Sequence, residues 1–60
     1  MRQLLSEFFS ENGKRNAKVF SDGHEFVVIC VNELGANFKS VWDNETKAEE
    51  YAEDWVLTNV

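Results

Sequence analysis

Apolar positions in the first eleven residues recur at helical spacing. Met1, Leu4, Leu5 and Phe8 fall within roughly 100° of one another on a 3.6-residue projection, with Gln3, Ser6, Glu7 and Ser10 opposite and Phe9 at the margin. The spacing predicts a short amphipathic helix over 2–11. Asn12-Gly13 would end it, because glycine takes the left-handed position after a helix without a Cβ penalty.

From Asn16 to Trp42 the period changes to two, and β-branched and aromatic residues dominate. Ser21-Asp22-Gly23-His24 predicts a type I′ hairpin turn centred on the Asp-Gly pair, with Ser21 facing His24, Val19 facing Phe26 and Ala17 facing Val28. Ala17, Val19, Phe26, Val28 and Cys30 then share one face, and Lys18, Phe20, Glu25, Val27, Ile29 and Val31 share the other. In the next turn, a three-residue loop of Glu33, Leu34 and Gly35 pairs Cys30 with Phe38, Val28 with Ser40 and Phe26 with Trp42. A loop one residue longer would turn Asn37 and Lys39 toward the first face, the costlier arrangement if that face is the core.

Thr46-Lys47-Ala48-Glu49 reads as a capping box, with the threonine hydroxyl accepting from the third helical amide and Glu49 reaching back. The helix it opens has Ala48, Tyr51, Ala52, Trp55 and Asn59 on one face with Val56 at its edge, and Glu50, Glu53, Asp54 and Leu57 on the opposite face. The expected fold is therefore α+β in the order α-β-β-β-α, a three-stranded antiparallel meander with two flanking helices, forming a single domain over residues 1–60.

Composition agrees with a globular chain: 43% of the 60 residues are apolar and 13% aromatic, with no proline. One cysteine and one histidine supply neither an internal disulfide nor a closed structural metal site, so the core lacks both usual staples of very small domains. Six basic against eleven acidic residues give a net charge of −5, the wrong sign for sequence-independent binding to phosphate backbones. The charge is also uneven. Arg2, Lys14, Arg15 and Lys18 outnumber Glu7 and Glu11 in the first third, whereas nine acids face only Lys39 and Lys47 in the remainder. No stretch approaches the ~18 apolar residues of a membrane span, and the N-terminus does not read as a signal peptide, so the expected location is cytoplasmic.

The element order, with Gly23-His24 opening the second strand and Thr46-Lys47-Ala48-Glu49 opening the last helix, resembles a miniature double-stranded-RNA-binding domain. That family grips phosphates with a lysine cluster at the start of its last helix. Here Lys47 stands alone before Glu49, Glu50, Glu53 and Asp54. The run from Lys47 to Leu57 also resembles the C-terminal helix of short accessory proteins of T4-like tailed phages, including those infecting cyanobacteria. That resemblance implies an accessory factor acting on a host or phage protein in the cytoplasm of an infected bacterium.

The candidate chemistry is sparse. His24 and Glu25 are adjacent on a strand and point to opposite faces, so they do not form a simple acid–base pair. Cys30 lies mid-strand among Val28, Ile29 and Val31, where a thiol acts as a small hydrophobe. A nucleophile with an activator is missing, and no catalytic residue, cofactor, metal or small-molecule substrate is expected.

Two surfaces remain. Glu50, Glu53, Asp54 and Leu57 form an acidic helix face with an apolar anchor, the anatomy of a docking patch for a basic partner protein. Phe20, Val27, Ile29 and Val41 make the second sheet face too apolar for free solvation. Either the helices split to cover both faces, or both pack on the first face and the second buries against another subunit or a target protein, of which self-association as a homodimer is the expectation. The expected function is a non-enzymatic protein-interaction module. Its alternatives are a nucleic-acid-associated protein using Arg2, Lys14, Arg15 and Lys18, and an acidic DNA mimic.

Overall fold

A computed structural model describes residues 2–11 and 13–57. Strands β1 (Gln3–Phe9), β2 (Asn16–Asp22), β3 (Glu25–Val31) and β4 (Asn37–Trp42) form one antiparallel sheet in sequential order, followed by helix α1 (Glu45–Leu57). The α+β class is as expected, but the element order is β-β-β-β-α. Four strands replace three, and one helix replaces two.

The first element is the main correction, and a β-bulge explains it. Leu4 pairs with Phe20 and Ser6 with Val19, so Leu5 is the extra residue on β1. A bulge re-phases the strand. Leu5 and Phe8 both pack on the core, a spacing of three that imitates a helix turn in so short a window. The expected helical position of Met1, the Asn12 of the expected helix end and the Asn59 of the last helix face lie outside the described residues. At Gly13, φ is 71°, but it serves a loop between strands: Ser10 N donates to Arg15 O, and Arg15 N donates to Ser10 Oγ, both at 3.0 Å.

The β2–β3 turn is also displaced. Asp22 pairs with Glu25, Ser21 with Phe26, Val19 with Val28 and Ala17 with Cys30, leaving Gly23-His24 as the two-residue loop. Gly23 has φ of 67° and no described non-glycine residue has positive φ, which is the type II′ pattern. A type I′ turn on Asp22-Gly23 would force a Cβ-bearing residue into the left-handed region, whereas this register requires only glycine there. The slip is two residues in the pairing, so the faces are unchanged.

The β3–β4 register follows the three-residue loop. Cys30 pairs with Phe38, Val28 with Ser40 and Phe26 with Trp42. Asn32 N donates to Ala36 O, Gly35 has φ of 84°, and Asn32 Oδ1 accepts from the amides of Leu34 and Ala36 at 2.9 and 3.0 Å.

Helix α1 starts earlier than the capping box implied. Asn44 is the cap: Lys47 N donates to Asn44 Oδ1 and Ala48 N to Asn44 O, each at 3.0 Å. Asparagine caps at least as well as threonine, and the earlier start places Glu45 in the first turn, where the helix dipole favours an acid. Glu49 is thereby released from capping.

Small side chains in the middle of the inner face let the helix approach. Ala17, Val19, Val28 and Cys30 on β2 and β3 meet Ala48, Ala52 and Val56, all essentially solvent-free. Val56, expected at the margin, is thus in the helix's buried stripe. Large residues fill the flanks: Leu5 and Phe8 on the β1 side, and on the β4 side Trp42 against Tyr51 (ring centres 5.3 Å apart) and Phe38 against Trp55 (6.2 Å). The helix covers one face only, so the two-helix coverage of the sheet does not arise.

Candidate functional site

Helix α1 lies over β2 and β3 with its acidic side turned outward and toward β1. Its registration against β1 is fixed by a hydrogen bond from Ser6 Oγ to Glu49 Oε2 at 3.0 Å. Ser6 reaches the helix because the bulge turns Leu5 and Ser6 toward the same side. Between this bond and the exposed helix surface runs an open groove of about 230 Å³, lined by Phe8, Thr46, Glu49, Glu50 and Glu53. Its floor is aromatic and one wall is carboxylate.

The expected docking residues are therefore only partly gathered. Glu50 and Glu53 share the groove. Asp54 is exposed on the helix but does not line it, and Leu57, 62% exposed, follows Glu53 by one turn at the end of the described helix. Phe8, Thr46 and Glu49 line the groove as well, although the helical pattern of 2–11 gives no sign of the first and the capping-box pattern points the other two elsewhere. A strand reading of 3–9 would have found the groove, because it puts Phe8 beside the helix.

On the outer face, cross-strand partners form a continuous apolar row: Leu4, Phe20, Val27 and Val41. Val27 is 2% exposed although no described element packs over it, being screened by its neighbours in the sheet, while Leu4 and Val41 at the row's ends are about half exposed. Ile29 stands in the next row, between Lys18 and Lys39. Leu4 extends on β1 the row that holds Phe20, Val27 and Val41, a position that a helix over 2–11 does not provide.

The basic residues do not form one patch. Arg2 pairs with Asp22 at 3.5 Å at the end of the sheet holding the Gly23-His24 turn, with its guanidinium 5.7 Å from the Phe20 ring centre. Arg15 lies at the opposite end, a strand length of roughly 20 Å away. There it bonds Glu33 through Nε at 3.1 Å and Nη2 at 3.5 Å, beside the Trp55 ring. Lys18 pairs with Glu7 at 3.8 Å. These cations are spent on neighbouring acids.

His24 is exposed at the second position of its turn, and Cys30 is buried near the other end of β3. Burial pushes the Cys30 thiol up to about 11, far from a nucleophilic thiolate at neutral pH. Among the described residues, no group of three His, Cys, Asp or Glu is placed to hold a metal, and no helix is long and apolar enough to cross a membrane. The chain matches no protein-family model, no curated protein and no solved structure.

Proposed function

We propose that this chain is a non-enzymatic protein-interaction module that docks a basic segment of a partner protein in the groove between β1 and α1. The observation that carries the reading is the convergence of Glu49, Glu50 and Glu53 with Phe8 on one open groove. Carboxylates along the wall steer and orient a Lys- or Arg-bearing segment, and the aromatic floor accepts the aliphatic stem of such a side chain. Leu57, one turn beyond Glu53, adds apolar contact at the groove's end. The likeness of the C-terminal helix to those of phage accessory proteins is consistent with a host protein as the partner and modulation of that protein as the outcome. Like charges at Glu49 and Glu53, and at Glu50 and Asp54, disfavour the isolated helix by a few tenths of a kcal/mol each. A bound cation would relieve that repulsion.

The test is fluorescence anisotropy with a labelled Lys/Arg-rich peptide, against a neutral peptide of the same length. Binding that weakens with salt and is lost in Glu50→Lys/Glu53→Lys supports the groove. Equal affinity for both peptides, or an unaltered affinity in the double variant, overturns it.

A further inference from the structure

The outer face of the sheet is arranged to meet a copy of itself. Its central row is entirely apolar: Leu4, Phe20, Val27 and Val41 on β1 to β4 in turn. On one side of that row, Glu7 on β1 pairs with Lys18 on β2, Ile29 stands on β3 and Lys39 on β4. On the other side, Arg2 just before β1 pairs with Asp22 on β2, and Glu25 stands on β3. Arg2 belongs to this face because both of its partners, Asp22 and the Phe20 ring, lie there.

The two flanking ion pairs have opposite order. From β1 to β2, one reads negative then positive, and the other reads positive then negative. A two-fold axis lying along the apolar row, in the plane between two stacked sheets, leaves each strand over its own copy and exchanges the flanks. Arg2 then lies over Glu7 of the second copy and Asp22 over Lys18, so each monomer pair becomes half of an alternating quartet. The apolar row stacks on itself, and on β3 Glu25, at the exposed rim, lies over Ile29 of the second copy. An axis parallel to the strands would bring Glu7 over Lys39 but Asp22 over Glu25, like on like, and so satisfies the flanks less completely.

The geometry points to a homodimer closed through this face, a sandwich of two sheets with the helices outside, sealed by Leu4, Phe20, Val27 and Val41 and aligned by the Arg2–Asp22 and Glu7–Lys18 pairs. Four strands of seven residues or fewer span about 19 Å by about 23 Å, which places the interface at the small end of specific protein contacts. The dimer is accordingly concentration-dependent and leaves the α1 groove free. Its existence and the groove's binding of basic peptides stand or fall separately.

Sedimentation velocity from about 5 to about 500 µM tests it by mass action. The wild-type chain should pass from monomer to dimer in that range, and Val41→Lys, a change at a half-exposed site, should remain monomeric while keeping its circular dichroism spectrum. Glu7→Lys/Lys18→Glu preserves the pair within the monomer but sets like over like in the dimer, and should weaken association by about tenfold or more. Adding Arg2→Asp/Asp22→Arg restores opposite over opposite, and should return the affinity to within about threefold of wild type. A wild-type chain that is monomeric throughout overturns the proposal, whether the face is bare or meets another protein. So does a dimer indifferent to Val41→Lys or to the first pair exchange.

Discussion

The Arg15 guanidinium stands 5.5 Å from the centre of the Trp55 ring while its Nε donates to Glu33 Oε2 at 3.1 Å. One side chain thus ties the β1–β2 connection to the β3–β4 loop and to the last turns of α1. In the sequence, Arg15 belongs to a basic N-terminal half. In the fold it is a clamp, with its side chain only 15% exposed.

Replacing Arg15 with alanine should lower stability by about 1 kcal/mol through loss of the cation–ring contact, with a further loss from the stem that packs there. Arg15→Lys should recover only part, because an ammonium lacks the planar fork. Urea denaturation followed by tryptophan emission measures both. The clamp also has an acid limb: the hydrogen bond from Arg15 holds the Glu33 carboxyl below its ordinary value of 4.5. A lowered folded pKa contributes stability above the ordinary value, and that contribution disappears as pH falls through the lowered one. The pH dependence of the urea midpoint below about pH 5 should therefore be shallower in Arg15→Ala than in wild type.

The helix cap gives a sharper contrast. Asn44→Ala should cost about 1 kcal/mol, because the Lys47 amide loses its acceptor. Thr46→Ala, an exposed change within the first turn, should stay within about 0.5 kcal/mol of wild type. Chemical denaturation of the two variants side by side decides between these caps, and a larger loss at Thr46 would move the helix start back to the capping box.

Cys30 should be silent to a thiol reagent in the native state at pH 8 and react only as the chain opens, at a rate that rises with urea. Its raised folded value also sets an alkaline limb. Stability is intact below the ordinary thiol value of 9.0 and declines as pH rises from there through about 11, because only the unfolded chain can ionise this group easily. The comparison with Cys30→Ala isolates it: the variant should lose less stability over this range than wild type.

What the sequence made legible was whatever depended on strict alternation. The faces of β2, β3 and β4 follow from the period-two pattern, and the β3–β4 register follows from Gly35 taking the one left-handed position in a three-residue loop. A two-residue slip at Gly23 changed which residues face each other but not which face they occupy. The first strand was illegible for a definite reason. Leu5 and Phe8 stand three apart on one side of a bulged strand, and nothing local distinguishes that from a helical stripe until β2 is seen beside it. The groove inherited the same error, since its floor is Phe8. Its wall was half visible: Glu50 and Glu53 were read from the helix face, whereas Glu49 had been given to a cap that Asn44 supplies instead.

The bulge at Leu5 has one more effect, on how far the sheet can grow. Sequential strand order leaves two free edges, β1 and β4. An interrupted hydrogen-bond ladder at β1 resists a neighbouring strand, whereas β4 is regular. Any edge-to-edge encounter is thereby confined to β4 against β4, and such a pair presents a broken edge at each end. A single displaced residue in the first strand thus disfavours growth of the sheet at β1, leaving β4 as the regular edge.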